Sequence, residues 1–346
     1  GLAFAIPLDL LFSCWFFFLF WKAEQVVGSM AGMNQPGYPF VAQQILGGYL
    51  GIAIVALWLA RKPIWQLIKK VLRARSDVDN SGEPMEYRTA VLGIILGISF
   101  LVFFSYRAGM TIRFALAFFG VYFAIAFAHT RARAELGPPM HGIHYFGPFQ
   151  FFMAAVGSRK LANQTLTAAA PLWTFTKQFR NHPMPYILES FKLADKSGMD
   201  TRKLGQVIML SVVVSLILTF WTFLQFSYKW GGISEGRGIE AYTTIGRWLV
   251  RPIEPDIQSL GAIAVGALFV FINTALRLRF LWWPLHPLAY PIAGYAAFRH
   301  LWFPFFISWL LKLAILKHGS IQTYRRTFPF FLGLVLGDFT IGSIWG

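Results

Sequence analysis

Three apolar segments near the C-terminus decide the fold: WWPLHPLAYPIAGYAAF at residues 282–298, FPFFISWLLKLAI at residues 303–315 and FPFFLGLVLGDFTIGSIW at residues 328–345. Only short basic turns separate them. A water-soluble core does not need three such segments so close together. A bilayer does, because each span must satisfy its own backbone hydrogen bonds in lipid. The stretch therefore predicts three consecutive membrane-spanning segments.

The composition of the whole chain agrees with this interpretation. Hydrophobic residues make up 56% of the sequence and charged residues 13%, whereas soluble domains carry about 25% charged residues. The formal net charge of +16 would suggest a nucleic-acid partner in a soluble protein. Here the Lys and Arg residues gather in the loops, as expected for a membrane protein, and no basic run alternates with aromatic residues. The composition thus indicates an integral membrane protein in contact with lipid and not with nucleic acid.

The apolar runs predict an all-α fold, a polytopic transmembrane helical bundle with about nine spans. Two semi-polar stretches, Gly28–Gln44 and Ser158–Thr165, predict one or two broken or re-entrant segments. We interpret residues 1–346 as a single integral membrane domain, with four spans in 1–129, a cytoplasmic or re-entrant region in 130–205 and five spans in 206–346. The predicted spans are Leu2–Trp21, Ile45–Ala60, Arg88–Arg107, Thr111–His129, Gln206–Tyr228, Ser259–Leu276 and the three terminal segments.

Basic residues predict how the chain is oriented. The Lys- and Arg-rich connections fall on one side of the predicted spans, and the positive-inside rule assigns that side to the cytoplasm, in a bacterial inner membrane. Residues Ile64–Arg75 show apolar positions at helical spacing with basic residues between them, which predicts an amphipathic helix at the interface. The charge-balanced stretch Lys229–Ile257 is expected to be an outer loop. Because the chain begins at Gly1 within a predicted span, we expect it to be part of a longer protein.

The sequence predicts no enzyme, cofactor or metal site. It contains neither a recognisable nucleophile motif nor a Gly-rich phosphate loop, and the single Cys14 excludes an intrachain disulfide or a cysteine zinc cluster. His141 and His144 have the spacing of a metal pair but no third ligand nearby, which favours ordinary loop histidines. His129 and His286 could hold a haem or a chlorophyll, but both lie near predicted membrane edges and outside any motif.

Ionisable residues inside predicted spans are the strongest functional signal. A carboxylate in a low-dielectric site can take up a proton near neutral pH, which is the property that a proton-coupled transporter uses. Asp338 and Asp9, together with Glu24 at the edge of the first span, are therefore the candidates for proton coupling. A purely structural interpretation remains: Asp9 could cap a helix after Pro7, and Asp338 could pair with Lys312 or a backbone group.

Polar residues in the semi-polar breaks are candidates for a substrate path. Asn163 and Gln164 lie in one break and Gln35 in the other, and transporters expose such backbone to their substrates. Lys312 is added because it is a cation inside a predicted span. The alternative is that both breaks are surface loops.

Several segments resemble the oligopeptide transporter superfamily. Residues 191–221 (FKLADKSGMDTRKLGQVIMLSVVVSLILTFW) resemble the stretch in which a short cytoplasmic helix precedes a span. Residues 282–292, 303–317 and 328–345 resemble the last three spans of that superfamily: a proline-containing segment, a span that ends in basic residues, and a glycine-rich span with a buried acid.

Two further segments look closer to a family of large, uncharacterised bacterial membrane proteins that are distant relatives of that superfamily. They are IPLDLLFSCWFFFLFWKAEQ at residues 6–25 and RARAELGPP at residues 131–139. The resemblance makes this chain similar to their C-terminal half and implies a multi-span transporter with repeats and proton-driven symport. Asp338 matches the acid of the last span, whereas no peptide- or metal-chelate-binding motif of the characterised transporters is evident.

Two functions of different classes follow. The first is a proton-coupled, secondary-transporter-like protein for a small organic solute or peptide. The second is a non-catalytic accessory subunit of a larger membrane complex, or a homo-oligomer, in which the 36 phenylalanines and 13 tryptophans pack against partners or lipid. A transporter needs acids that face a wet cavity, whereas in a scaffold those acids are neutralised by Lys312 or by backbone donors.

Overall fold

The computed structural model describes residues 1–345 except 34, 73–82, 138–141, 143–145, 177–178, 180–181 and 232–235. The described part consists of helices without strands. The α-helices are α1 (Leu8–Met30), α2 (Val41–Leu59), α3 (Arg61–Leu72), α4 (Tyr87–Arg107), α5 (Ile112–Leu136), α6 (Pro148–Val156), α7 (Asn163–Thr176), α8 (Pro183–Ser197), α9 (Thr201–Trp230), α10 (Gly236–Val250), α11 (Ile257–Arg279), α12 (Ala289–Ala293), α13 (Trp302–His318) and α14 (Ile321–Trp345). Short 3-10 helices cover Leu2–Ala5 and Ala296–His300.

Within these ranges, seven helices are long and apolar enough to cross a membrane: α1, α2, α4, α5, α9, α11 and α14. The all-α helical bundle predicted from the sequence is confirmed, and the chain is a multi-pass membrane protein. Of the about nine expected crossings, the remaining two fall on residues 282–298 and on α13. Helix α13 has 17 residues, which is at the lower limit of about 17–25 residues for a span.

The centre of the bundle is the pair α2 and α11, which run parallel and approach each other through glycines. A Cβ atom at Gly47 would lie 1.9 Å from the backbone oxygen of Ile263, and one at Gly266 would lie 2.1 Å from that of Gln44. Only glycine allows the two backbones to come this close. Asp256 starts α11 by accepting hydrogen bonds from two backbone amides of its first turn, at 3.1 Å each.

The predicted span at residues 282–298 is a broken segment. It consists of a non-helical stretch (residues 280–288), the five-residue helix α12 and the 3-10 helix Ala296–His300. Pro284, Pro287 and Pro291 explain the break, because proline lacks the amide hydrogen that continues a helix and clashes with the preceding turn. The segment runs along α1: Pro284 O accepts a hydrogen bond from Ser13 Oγ, and Tyr290 O accepts one from Trp21 Nε1.

The predicted break at Ser158–Thr165 separates α6 from α7. Gly157 adopts a φ of +75°, which reverses the chain, and the turn is held by Ser158, whose amide donates to Ile253 O at 3.0 Å while its hydroxyl accepts from Ile253 N at 2.9 Å. Thr165 Oγ1 donates to Gly109 O in the α4–α5 turn at 3.4 Å. The α6–α7 hairpin therefore has its tip at the end of the bundle where α11 begins. The other predicted break differs, because α1 continues through Gly28 to Met30.

One further connection differs from expectation, and another agrees with it over its described residues. The stretch Lys229–Ile257, expected to be an outer loop, contains α10. Its apolar residues Ala241 and Ile245 are spaced four apart and are buried in a cluster that includes residues of α7. The predicted amphipathic helix at Ile64–Arg75 is α3, Arg61–Leu72, and residues beyond it up to 82 lie outside the described part.

Candidate functional site

A cavity of about 270 Å³ opens between α2, α5, α11 and the start of the broken segment. It lies at the basic end of the bundle, by which we mean the end where α1 begins and where α5 and α11 end. Its polar lining comes from Arg131 and Glu135 of α5, Thr274 and Arg277 of α11, and His286 of the broken segment. The remaining lining is apolar: Ile52, Val55, Leu59, Val270, Leu278, Pro287 and Leu288.

The charged groups at the cavity form two ion pairs that a histidine adjoins. Arg277 Nη2 lies 2.5 Å from Asp9 Oδ2, and Arg131 Nε lies 2.7 Å from Glu135 Oε1. His286 Nε2 stands 3.6 Å from the second oxygen of Glu135. Each of the four charged side chains keeps about a third of its surface exposed, so solvent screens the pairs and limits their contribution to stability.

His286 is held in a fixed orientation. Its backbone amide donates to Ser13 Oγ at 2.8 Å, and its Nδ1 accepts a hydrogen bond from the backbone amide of Leu288 at 3.3 Å. Since Nδ1 is an acceptor, the neutral imidazole carries its proton on Nε2. That proton faces the carboxylate of Glu135.

The environment of His286 favours the neutral imidazole. The residue lies outside the seven candidate spans, and its side chain is only 12% exposed. Burial, followed by the positive charge of Arg277, lowers its pKa from 6.5 to about 4; Glu135 and Asp9 act in the opposite direction, and Arg131 lowers the pKa further. At neutral pH the cavity therefore contains two cations, two anions and one uncharged imidazole.

A second polar cluster lies near the start of α2, towards the opposite end of the bundle. Tyr290 donates to Gln44 Oε1 at 2.6 Å, and Gln44 Nε2 donates to Pro39 O at 2.8 Å and to Glu24 Oε1 at 3.3 Å. The other oxygen of Glu24 is buried and has no hydrogen-bond partner among the described residues. Tyr290 belongs to the same broken segment as His286, so this segment contacts both clusters.

The predicted proton-coupling residues occupy three different environments. Asp9 is at the basic end and pairs with Arg277, which lines the cavity. Glu24 is half-buried in the second cluster. Asp338 is exposed on α14 and is not among the residues that line the cavity. The structure brings Asp9 to the cavity and leaves the other two elsewhere.

Lys312 is held by hydrogen bonds within the bundle. Its ammonium group is buried and donates to the backbone oxygens of Ile6 at 2.7 Å and Phe4 at 3.2 Å, and to Tyr324 Oη at 3.3 Å. These bonds, and not a pair with Asp338, satisfy its charge. Lys312 thereby fastens the N-terminal 3-10 helix and the start of α14 to α13.

The other predicted path residues lie away from the cavity. Asn163 and Gln164 are exposed at the start of α7, and Gln35 is exposed between α1 and α2. His129 is buried with its ring 4.2 Å from that of Tyr49 and 5.2 Å from that of Phe179, centroid to centroid. His141 and His144 lie outside the described residues. In the part of the chain that the structure describes, no group of three His, Cys, Asp or Glu side chains could hold a metal ion.

Sequence reasoning noted most of the cavity residues without assigning them to a site. Arg131 and Arg277 belong to the Lys- and Arg-rich connections that the positive-inside rule assigns to the cytoplasm, and the sequence suggests His286 only as a pigment ligand. One signal pointed to them: each lies at the end of a predicted apolar run, and the end of a run is where several elements can meet.

Comparison with known proteins gives the chain a family. All of residues 1–346 match a family of unknown function, DUF6785, and the chain belongs to that family. No curated protein and no solved structure matches it.

Proposed function

We propose that this chain is a secondary-transporter-like membrane protein, which moves a small organic solute and couples that movement to protons. The observation that supports this proposal is the cavity at the basic end. Ionisable groups in a membrane protein are costly, and where they surround a cavity they commonly mark a solute or ion path. A volume of about 270 Å³ is just below the range of about 300–1,000 Å³ for ligand pockets, which favours a small solute over an extended peptide.

The broken segment supports the same proposal. Transporters build solute sites from discontinuous helices, because their unwound backbone offers free polar groups in a protein-lined interior. Here the segment lines the cavity at His286 and reaches Glu24 through Tyr290 and Gln44. A solute that moves the segment at one end therefore acts on the polar cluster at the other. The resemblance to the oligopeptide transporter superfamily is in agreement.

Glu24 is the predicted acid with the most suitable geometry for proton exchange. Its second oxygen is buried and has no donor among the described residues, and an added proton would neutralise a charge that lipid and protein solvate poorly. Asp9 already has a guanidinium partner, and Asp338 is exposed on α14. We therefore place proton exchange at Glu24 ahead of Asp9 and Asp338, in a bacterial inner membrane.

The proposal is tested with the purified chain in proteoliposomes that contain a pH-sensitive dye and carry an imposed pH gradient. Small carboxylic acids, amino acids and dipeptides are added in turn, and at least one class is expected to dissipate the gradient. The variant Thr274→Phe fills the cavity and should abolish this effect. The matched control Ile272→Phe lies on the same helix at a position 50% exposed, outside the cavity lining, and should retain it. Equal activity in both variants, or no solute-dependent flux, would refute the proposal.

An accessory-subunit role is the second candidate, and one observation favours it. In the most apolar 18-residue stretch of α9, and in that of α14, no residue is buried. Helix α9 packs against α8 near its start. A photo-crosslinker at Leu216 of α9, which is 55% exposed, distinguishes the two roles in native membranes. Crosslinking to one further chain in stoichiometric amount supports the subunit role, and crosslinking to lipid alone argues against it.

A further inference from the structure

The charges that surround His286 balance each other. Asp9 projects from α1, Arg131 and Glu135 from α5, and Arg277 from α11, and each acid is paired with one cation. With a neutral imidazole the site has no net charge. With a protonated imidazole it carries one positive charge, which a monoanion would neutralise.

We propose that the solute of the cavity is a small organic anion and that His286 takes up one proton when this anion binds. The proposal rests on the transport function proposed above, names its substrate class, and adds His286 at the cavity to Glu24 as a second proton-binding group. A carboxylate in the cavity would lie between the guanidinium groups of Arg131 and Arg277, whose planar donors match a carboxylate. It would at the same time lie next to the imidazole.

The coupling between anion binding and proton uptake follows from the burial of the imidazole and the charges around it. In the empty cavity, burial and the two arginines keep His286 neutral. A bound anion offsets the field of the arginines and so raises the pKa of His286. Between the pKa of the empty site and that of the occupied site, binding the anion takes up a proton from water at the basic end, and the anion binds more tightly as the pH falls.

Protonation also has a structural consequence. The neutral imidazole accepts the Leu288 amide hydrogen at Nδ1, and Nδ1 is the only ring nitrogen left to receive a second proton. An imidazolium donates from both nitrogens, so this hydrogen bond must break. Leu288 immediately precedes α12, which contains Tyr290. Anion and proton together therefore remove a hydrogen bond of the broken segment at Leu288, two residues before Tyr290, which belongs to the Glu24 cluster.

A zwitterion is the competing occupant and gives the opposite result. Its carboxylate and ammonium groups would exchange partners with the two ion pairs and leave His286 neutral, so no proton would be taken up. The two classes differ in a measurable quantity, the number of protons bound per solute.

The experiment uses the full chain in lipid nanodiscs and isothermal titration calorimetry in two buffers of different ionisation enthalpy. The probes are lactate (a monoanion), succinate (a dianion) and alanyl-alanine (a zwitterion). We expect an anion to bind with uptake of about one proton, and its affinity to rise up to about tenfold for each pH unit between pH 7 and 5. The variant His286→Asn keeps an acceptor for the Leu288 amide but cannot titrate, and its anion affinity should not depend on pH. His318→Asn, at an exposed position, should behave as the unsubstituted chain.

Three results would overturn the inference: anion binding without proton uptake, tighter binding of alanyl-alanine than of either anion, or an unchanged pH dependence in His286→Asn. Failure of the inference remains distinct from failure of the proposed function. If alanyl-alanine is transported and Thr274→Phe blocks it, transport stands and the anion assignment falls. If none of the three probes binds or moves, both fall.

Discussion

Acid should destabilise the empty protein in part through His286. Its pKa in the folded chain is lowered from 6.5 to about 4, so between these values the unfolded chain binds a proton that the folded chain does not. Stability therefore rises with pH in this window and is lost as the pH falls through it. At about 1.4 kcal/mol per pKa unit, the difference amounts to about 3 kcal/mol. The side chain is only 12% exposed, so little of this is lost to solvent screening.

The assay compares thermal unfolding of the chain and of His286→Asn in detergent micelles from pH 7 to pH 4, without added solute. Asparagine can accept the Leu288 amide but carries no charge at any pH. The melting temperature of the unsubstituted chain should fall more steeply with acid than that of the variant, and the difference should be confined to the window below pH 6.5. His318→Asn, on an exposed residue at the end of α13, controls for the loss of a histidine as such.

Parallel melting curves for the chain and His286→Asn would refute the reasoning, because His286 would then titrate alike in the folded and unfolded states. A steeper fall in the variant would reverse the sign of the linkage and would place a stabilised imidazolium in the empty cavity. Either result would also remove the basis for proton-linked anion binding.

Three further substitutions test the packing around the site. Gly266→Ala should separate α2 from α11 and lower the free energy of unfolding by about 1–3 kcal/mol. Its control is Gly261→Ala on the same helix, where an added Cβ meets no atom within 4 Å, so this variant should be neutral or stabilising by up to about 1 kcal/mol. Denaturant midpoints compare the two variants. Tyr290→Phe leaves a buried glutamine oxygen without its donor, at a cost of about 1–3 kcal/mol, and should lower the melting temperature; no change would mean that the hydrogen bond contributes nothing. Lys312→Met should speed hydrogen exchange in the N-terminal 3-10 helix, and the exposed Lys317→Met should not; equal rates would contradict the fastening role.

The spans could be predicted from the sequence because each depends on local composition. An apolar run such as residues 206–228 has few alternatives to a helix in lipid, and α9 covers it. The run at residues 282–298 has similar composition but contains Pro284, Pro287 and Pro291, and a hydropathy count does not register the lost amide hydrogens. In the loop expected at residues 229–257, the apolar spacing that forms α10 was present in the sequence and was outweighed by its charges.

The cavity could not be predicted, because its parts come together only in three dimensions. Asp9 and Arg277 are 268 residues apart, and a sequence without aligned homologues contains no signal that pairs them. The sequence marks His286 only as one histidine beside two prolines. Its neutral state depends on burial and on arginines from two other helices.

Not all of the charges at the basic end need a functional explanation. Asp9 lies in the first turn of α1 and Arg277 in the last turn of α11, and an acid at a helix start and a base at a helix end are stabilised by the helix dipole. Because α1 begins where α11 ends, the two are brought together by the fold itself, so their ion pair alone says little about transport. The buried imidazole of His286 has no comparable stabilising role, since its position beside the cavity lowers the stability of the protein in acid. His286, and not the predicted Asp9 or Asp338, is therefore the residue on which the functional proposal should be tested first.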